Sequence, residues 1–173
     1  LHQQEYKGKR VHLSLTDEMD FSVQTKVDIG VHTRADVAQA DLSFRVVTDN
    51  EAVELLANPP EQIFVEKLKS LLWFGSASTR FKDIYDMCYL SGMLNRDLLS
   101  GSPSANTNTY LKLYIYDDAL MRENVPSDIE KRLHRVFGDK SFIRALSNPA
   151  NAWLDVPTDK ATSELLSFLS SLA

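Results

Sequence analysis

P-E-Q-I-F-V-E-K-L-K-S-L-L-W-F-G, residues 60–75, followed by S-T-R-F-K-D-I-Y-D-M-C-Y-L, residues 78–90, decides how this chain is read. At 100° per residue, Ile63, Phe64, Leu68, Leu71, Leu72 and Phe74 fill one broad apolar arc of a helix over Glu61 to Phe74. Pro59-Pro60 punctuates its start and Gly75 its end. Ser76 to Thr79 offer N-caps for a second helix, about Arg80 to Leu94. That helix is apolar nearly all round, so it is expected to be buried.

Both helices carry charge where packing disfavours it. Lys67 falls inside the apolar arc, beside Ile63, Leu71 and Phe74. A core-facing lysine is costly unless its head reaches a carboxylate or water. It is either a snorkelling lysine at the core edge or a residue held for chemistry. Asp83 shares a side with Met87, Leu90 and Leu94. The helix dipole offers an acid there only about 0.3–1 kcal/mol, too little to bury a charge, so a partner is implied. Arg80 with Asp83 is an i,i+3 pair and Lys82 with Asp86 an i,i+4 pair. Such pairs could simply staple the helix start. The alternative is that Lys67, Arg80 and Asp83 converge with the strand acid Asp28 at one site suited to phosphate and metal.

Working outward, residues 10–30 read as a β-hairpin. Val11, Leu13 and Leu15 alternate with polar residues, as do Phe21, Val23, Thr25, Val27 and Ile29. The strands are expected to be half-buried. Pairing Leu15 with Phe21 would set His12 opposite Gln24 and Asp28 opposite Gly8, leaving open space beside the Asp28 carboxylate. A short strand is expected near Leu42 to Val47. C-terminally, helices are expected over Thr109 to Arg122, from a Ser127–Glu130 capping box to Phe137, over Ser141 to Leu146, and over Asp159 to Leu172. The fold class is α+β, a small antiparallel or mixed sheet in residues 1–58 followed by a C-terminal helical bundle in residues 59–173.

The 173 residues are 43% hydrophobic and 25% charged with a net charge of -5, which fits a globular chain and not a basic nucleic-acid coat. One cysteine excludes an intrachain disulfide framework. No apolar run approaches the roughly 20 residues of a membrane span, so a cytoplasmic location and no membrane partner are expected. The sequence begins at Leu1 without a signal-like segment and reads as part of something longer.

The string from Glu66 to Met87 resembles the motif of AbiEii/AbiGii-type nucleotidyltransferases, toxins of abortive-infection and related toxin–antitoxin systems. The family pattern is roughly A-E-K-L-x-A-L, a short spacer, then N-x-R-x-K-D-x-Y-D-L. Val27-Asp28-Ile29-Gly30 is similar to the family's strand motif. The resemblance implies a DNA-polymerase-β-like nucleotidyltransferase fold, in which three carboxylates hold two divalent metals, here Mg²⁺, against a nucleotide triphosphate. It implies that Asp28 is the third metal carboxylate and could activate the incoming hydroxyl. Lys67 and Arg80 would serve the nucleotide phosphates, Asp83 would complete the site, and Asp86 would buttress the helix.

The family's first motif, a G-[GS] turn followed by D-x-D, is not found between Leu1 and Ala173. One carboxylate cannot hold two Mg²⁺ ions, so this stretch alone is expected to be inactive. The expected activity of the whole is transfer of a nucleoside monophosphate from NTP to an RNA or protein acceptor. A different class is a non-catalytic module that recognises a partner protein such as an antitoxin. A third is a metal-dependent hydrolase using Asp28 and Asp83. Among the remaining residues, His12 could be a metal ligand, and Cys88 reads as a core thiol. Tyr110, Tyr114 and Tyr116 could stack a base or pack together. Lys131, Arg132 and Arg135 form a basic stripe that reads as a solvated face or an approach for RNA.

Overall fold

The computed structural model describes residues 8–30, 39–45, 52–99, 104–125 and 128–172. The chain forms two compact units, Leu1–Gln39 and Ala40–Ala173. The fold is α+β: two small antiparallel hairpins and a set of packed helices.

In the first unit, β1 (Gly8–Thr16) pairs with β2 (Ser22–Gly30). The register differs from the expected one by two residues: Leu15 faces Val23, His12 faces Lys26 and Asp28 faces Arg10. The turn is the cause. The Asp17 carboxylate accepts from the backbone N–H groups of Met19 and Phe21, at 2.8 and 2.9 Å, and the Asp17 N–H donates to the Phe21 carbonyl. Asp20 takes the left-handed conformation (φ 62°) that an aspartate tolerates. Phe21 is thereby drawn into the loop, and Thr16 closes the ladder against Ser22. The space expected beside Asp28 is filled by the Arg10 guanidinium. The strands are exposed rather than half-buried, with Leu15 at 61% and Val23 at 64%. A two-stranded ribbon has no second layer of its own to cover a face.

In the second unit, β3 (Ala40–Arg45) pairs with β4 (Ala52–Ala57). The expected strand is β3, although Val46 and Val47 lie outside the described residues. β4 was not foreseen, since A-V-E-L-L-A lacks clean alternation. The helices are α1 (Pro60–Phe74), α2 (Lys82–Leu99), α3 (Ser104–Leu111), α4 (Ala119–Asn124), α5 (Ile129–Gly138), α6 (Lys140–Leu146) and α7 (Thr158–Ser171).

Helix α1 starts and stops where the prolines and Gly75 dictate; Gly75 sits at φ 57° and its N–H donates to the Leu71 carbonyl. The single helix expected over Thr109 to Arg122 is instead α3, a π-helical turn over Lys112–Tyr116, and α4. The Asp118 side chain accepts from the Met121 N–H and starts a new helix at that point. Ser127 lies outside the described residues. The cap of α5 is Asp128, which accepts from the Lys131 N–H at 2.9 Å.

One core joins these helices. Phe64, Leu68 and Leu72 of α1, Ile84 and Met87 of α2, Leu133 of α5 and Leu165 and Phe168 of α7 are sealed from solvent. The rings of Phe64 and Phe168 meet edge to face at 5.1 Å. Tyr85 is buried, and its hydroxyl pairs with Thr158 Oγ1 at 3.2 Å. Phe74, expected on the apolar arc, is 54% exposed at the end of α1.

Candidate functional site

The packed pair α1–α2, with the connection between them, carries Lys67, Arg80, Asp83 and Asp86, four of the charged residues singled out by the sequence. Lys67 is on the core-facing side of α1. Asp83 and Asp86 are three residues apart on α2, so they share a face one turn from each other. Packing the helices together brings Lys67 Nζ within 2.7 Å of both Asp83 Oδ1 and Asp86 Oδ2. Arg80 Nε reaches the other Asp83 oxygen at 2.5 Å. Two cations and two carboxylates thus form a neutral, partly enclosed node. The Asp83 side chain is 11% exposed, Lys67 19% and Arg80 61%.

Burial pulls the Lys67 ammonium toward losing its proton. Donation to Asp83 and Asp86 outweighs it, and the net pKa is raised above the lysine range. Lys67 therefore stays charged at neutral pH. Asp86 does more than buttress its own helix, because it completes the second half of the lysine's cage. Arg80 is anchored by Nε alone; among the described residues its Nη groups meet no carboxylate. The turn before α2 supports it: the Ser78 hydroxyl, buried, accepts from the Arg80 N–H at 3.3 Å.

Asp28 belongs to the first unit. Its two oxygens accept from Arg10 Nε at 2.5 Å and Nη2 at 2.9 Å, a bidentate fork. These hydrogen bonds hold the Asp28 carboxyl below the usual carboxylate range despite the opposing effect of desolvation. His12 faces Lys26 across the same ribbon.

The acids in view do not assemble a metal centre. Asp83 and Asp86 both turn to Lys67, Asp28 turns to Arg10, and no group of three ligating side chains occurs among the described residues.

Cys88 is a core thiol, as expected. It donates to Glu164 Oε2 at 3.1 Å, and burial with that carboxylate pushes its pKa up to about 12. Tyr110 and Tyr114 pack ring against ring at 6.3 Å. One buried polar residue, Gln62, is absent from the sequence reading, and Arg132 makes a contact other than the expected one. Gln62, 4% exposed, donates to Glu66 at 2.8 Å and to the Tyr114 hydroxyl at 3.2 Å. Arg132, read as part of a solvated or RNA-facing stripe, instead reaches the end of α1. A signal was present: Arg132 sits about 40° from the buried Val136 on the α5 wheel, at the edge of its apolar arc.

Residues 2–146 match the family described as Nucleotidyl transferase AbiEii toxin, Type IV TA system, and the chain belongs to that family. The class is thus a nucleotidyltransferase toxin of a toxin–antitoxin system. No curated protein and no solved structure matches. No helix among the described residues is long and apolar enough to cross a membrane.

Proposed function

We propose that this chain carries phosphate-handling residues of a nucleotidyltransferase that moves a nucleoside monophosphate from an NTP to an RNA or protein acceptor in the cytoplasm, under the control of an antitoxin. The observation that carries this reading is Lys67, a lysine charged at neutral pH and caged by Asp83 and Asp86 beside an exposed arginine anchored by one nitrogen. In this reading Arg80 offers its free guanidinium edge to a phosphate, and Lys67 adds positive charge behind it. Asp83 aims both cations, and Asp86 supports the cage. The sheet-bearing part, residues 1–58, and the helical part, residues 59–173, are the two functional segments.

Asp28 is assigned to Mg²⁺, which requires Arg10 to release it. A single carboxylate does not hold two divalent ions, so transfer by the isolated chain is not expected.

The test is nucleotide affinity, by calorimetry, of the chain and of its Lys67→Met and Arg80→Met variants, with folding followed by circular dichroism. Each variant is expected to bind NTP about tenfold or more weakly, the scale of one lost charge-assisted contact. Unchanged affinity in folded variants overturns the reading. It would favour the binding module instead, for which the exposed apolar residues Met19, Phe21 and Leu56 of the two hairpins speak.

A further inference from the structure

Helix α1 ends in Leu71-Leu72-Trp73-Phe74 and has no cation of its own in that last turn. Its final carbonyls carry the negative end of the helix dipole and need donors. Gly75 N–H serves Leu71, and Ser78 N–H serves Gly75 itself. The donor to Leu72 arrives from a distant part of the chain: Arg132 Nε of α5 lies 3.4 Å from the Leu72 carbonyl oxygen.

The same guanidinium lies over Gly75. A methyl group there would stand 2.8 Å from Arg132 Nη2, and the φ of 57° disfavours any side chain as well. Among the described residues no carboxylate pairs with Arg132, so its charge is answered by the carbonyl end of α1. The 3-10 turn Gly75–Ala77 then leads straight to Ser78 and Arg80. Arg132 thus touches the turn that joins the helix of Lys67 to Arg80 and Asp83.

We infer that Arg132 is a positioning residue, which locks the α1–α2 connection so that Arg80 and Asp83 stay aligned with Lys67. The inference deepens the transferase reading and rests on it for its consequence in nucleotide binding. Its geometric part stands apart from that reading and has its own readout.

That readout is the NMR signal of the Arg80 Nε–H, which the bond to Asp83 protects from exchange. In Arg132→Ala the exchange is expected to quicken and NTP affinity to fall, each by about tenfold, as expected when a supporting contact lets a site drift. Arg132→Lys, which can still donate to the last carbonyls, restores both to within about twofold of the parent. Should Arg132→Ala fail to fold, Arg132→Met keeps the stem and removes only the donors. A folded Arg132 variant with an unchanged Arg80 signal overturns the inference. If the parent binds no NTP, the transferase reading fails while the Arg80 signal still decides the clamp.

Discussion

The molecule makes one kind of ion pair in two very different settings. In the β1–β2 ribbon, Arg10 grips Asp28 with both side chains about half exposed, at 53% and 52%. Between α1 and α2, Lys67 is shared by two carboxylates in a partly enclosed node. The ribbon pair has the better fork geometry, yet water and salt screen it. The node has plainer geometry, but each member depends on the others, because a carboxylate left alone there would be desolvated without compensation. Geometry alone therefore does not rank ion pairs; enclosure does.

The contrast begins with the cores themselves. Phe64→Ala, which empties a sealed position against Phe168, is expected to lose about 3–5 kcal/mol of stability. Phe21→Ser in the ribbon, at 76% exposure, should stay within about 0.5 kcal/mol of the parent. Urea unfolding of both checks this, and equal losses would break the comparison.

Lys67→Met comes next. It leaves Asp86 without its cation and Asp83 with Arg80 alone, and a loss of about 1–3 kcal/mol is expected. Adding Asp83→Leu and Asp86→Leu should recover most of that loss if enclosure is its source, since apolar replacement of a buried ionic group is often neutral or stabilising.

The pH response separates the two settings by sign. The folded pKa of Lys67 is raised above 10.5, so its contribution is complete below that value and is lost as pH rises through the folded pKa. Thermal melts of the helices should therefore decline on the alkaline side. The folded pKa of Asp28 is lowered below 3.8, so the ribbon pair contributes above that value and fades as pH falls through the folded one. Proton chemical shifts of β1 and β2 should follow that acid transition. The smallest effect belongs to Arg10→Ala, which should leave the midpoint of helix unfolding where it was. A shifted midpoint would show that the ribbon pair matters beyond its own hairpin.

Much of this was legible in the sequence. The arc from Ile63 to Leu72, the prolines at 59 and 60, and Gly75 mark α1 with its ends. The misplaced charges of Lys67 and Asp83 announced a partner because neither could be buried alone. The ribbon register was not legible, since the Asp17 side chain captures two N–H groups and moves Phe21 into the turn. Asp118 and Asp128 likewise cap helices whose starts the apolar pattern did not mark.

The sequence by itself determined where α1, α2, α5, α6, α7 and the strands β1 to β3 lie and which charges needed an answer, because periodicity and capping act over a few neighbouring residues. Which groups gave that answer was decided by tertiary structure: both α2 acids for Lys67, Arg10 for Asp28, and Arg132 for the end of α1. An ion pair is chosen by proximity and enclosure after the chain has packed, and neither quantity is written in the order of residues along one helix.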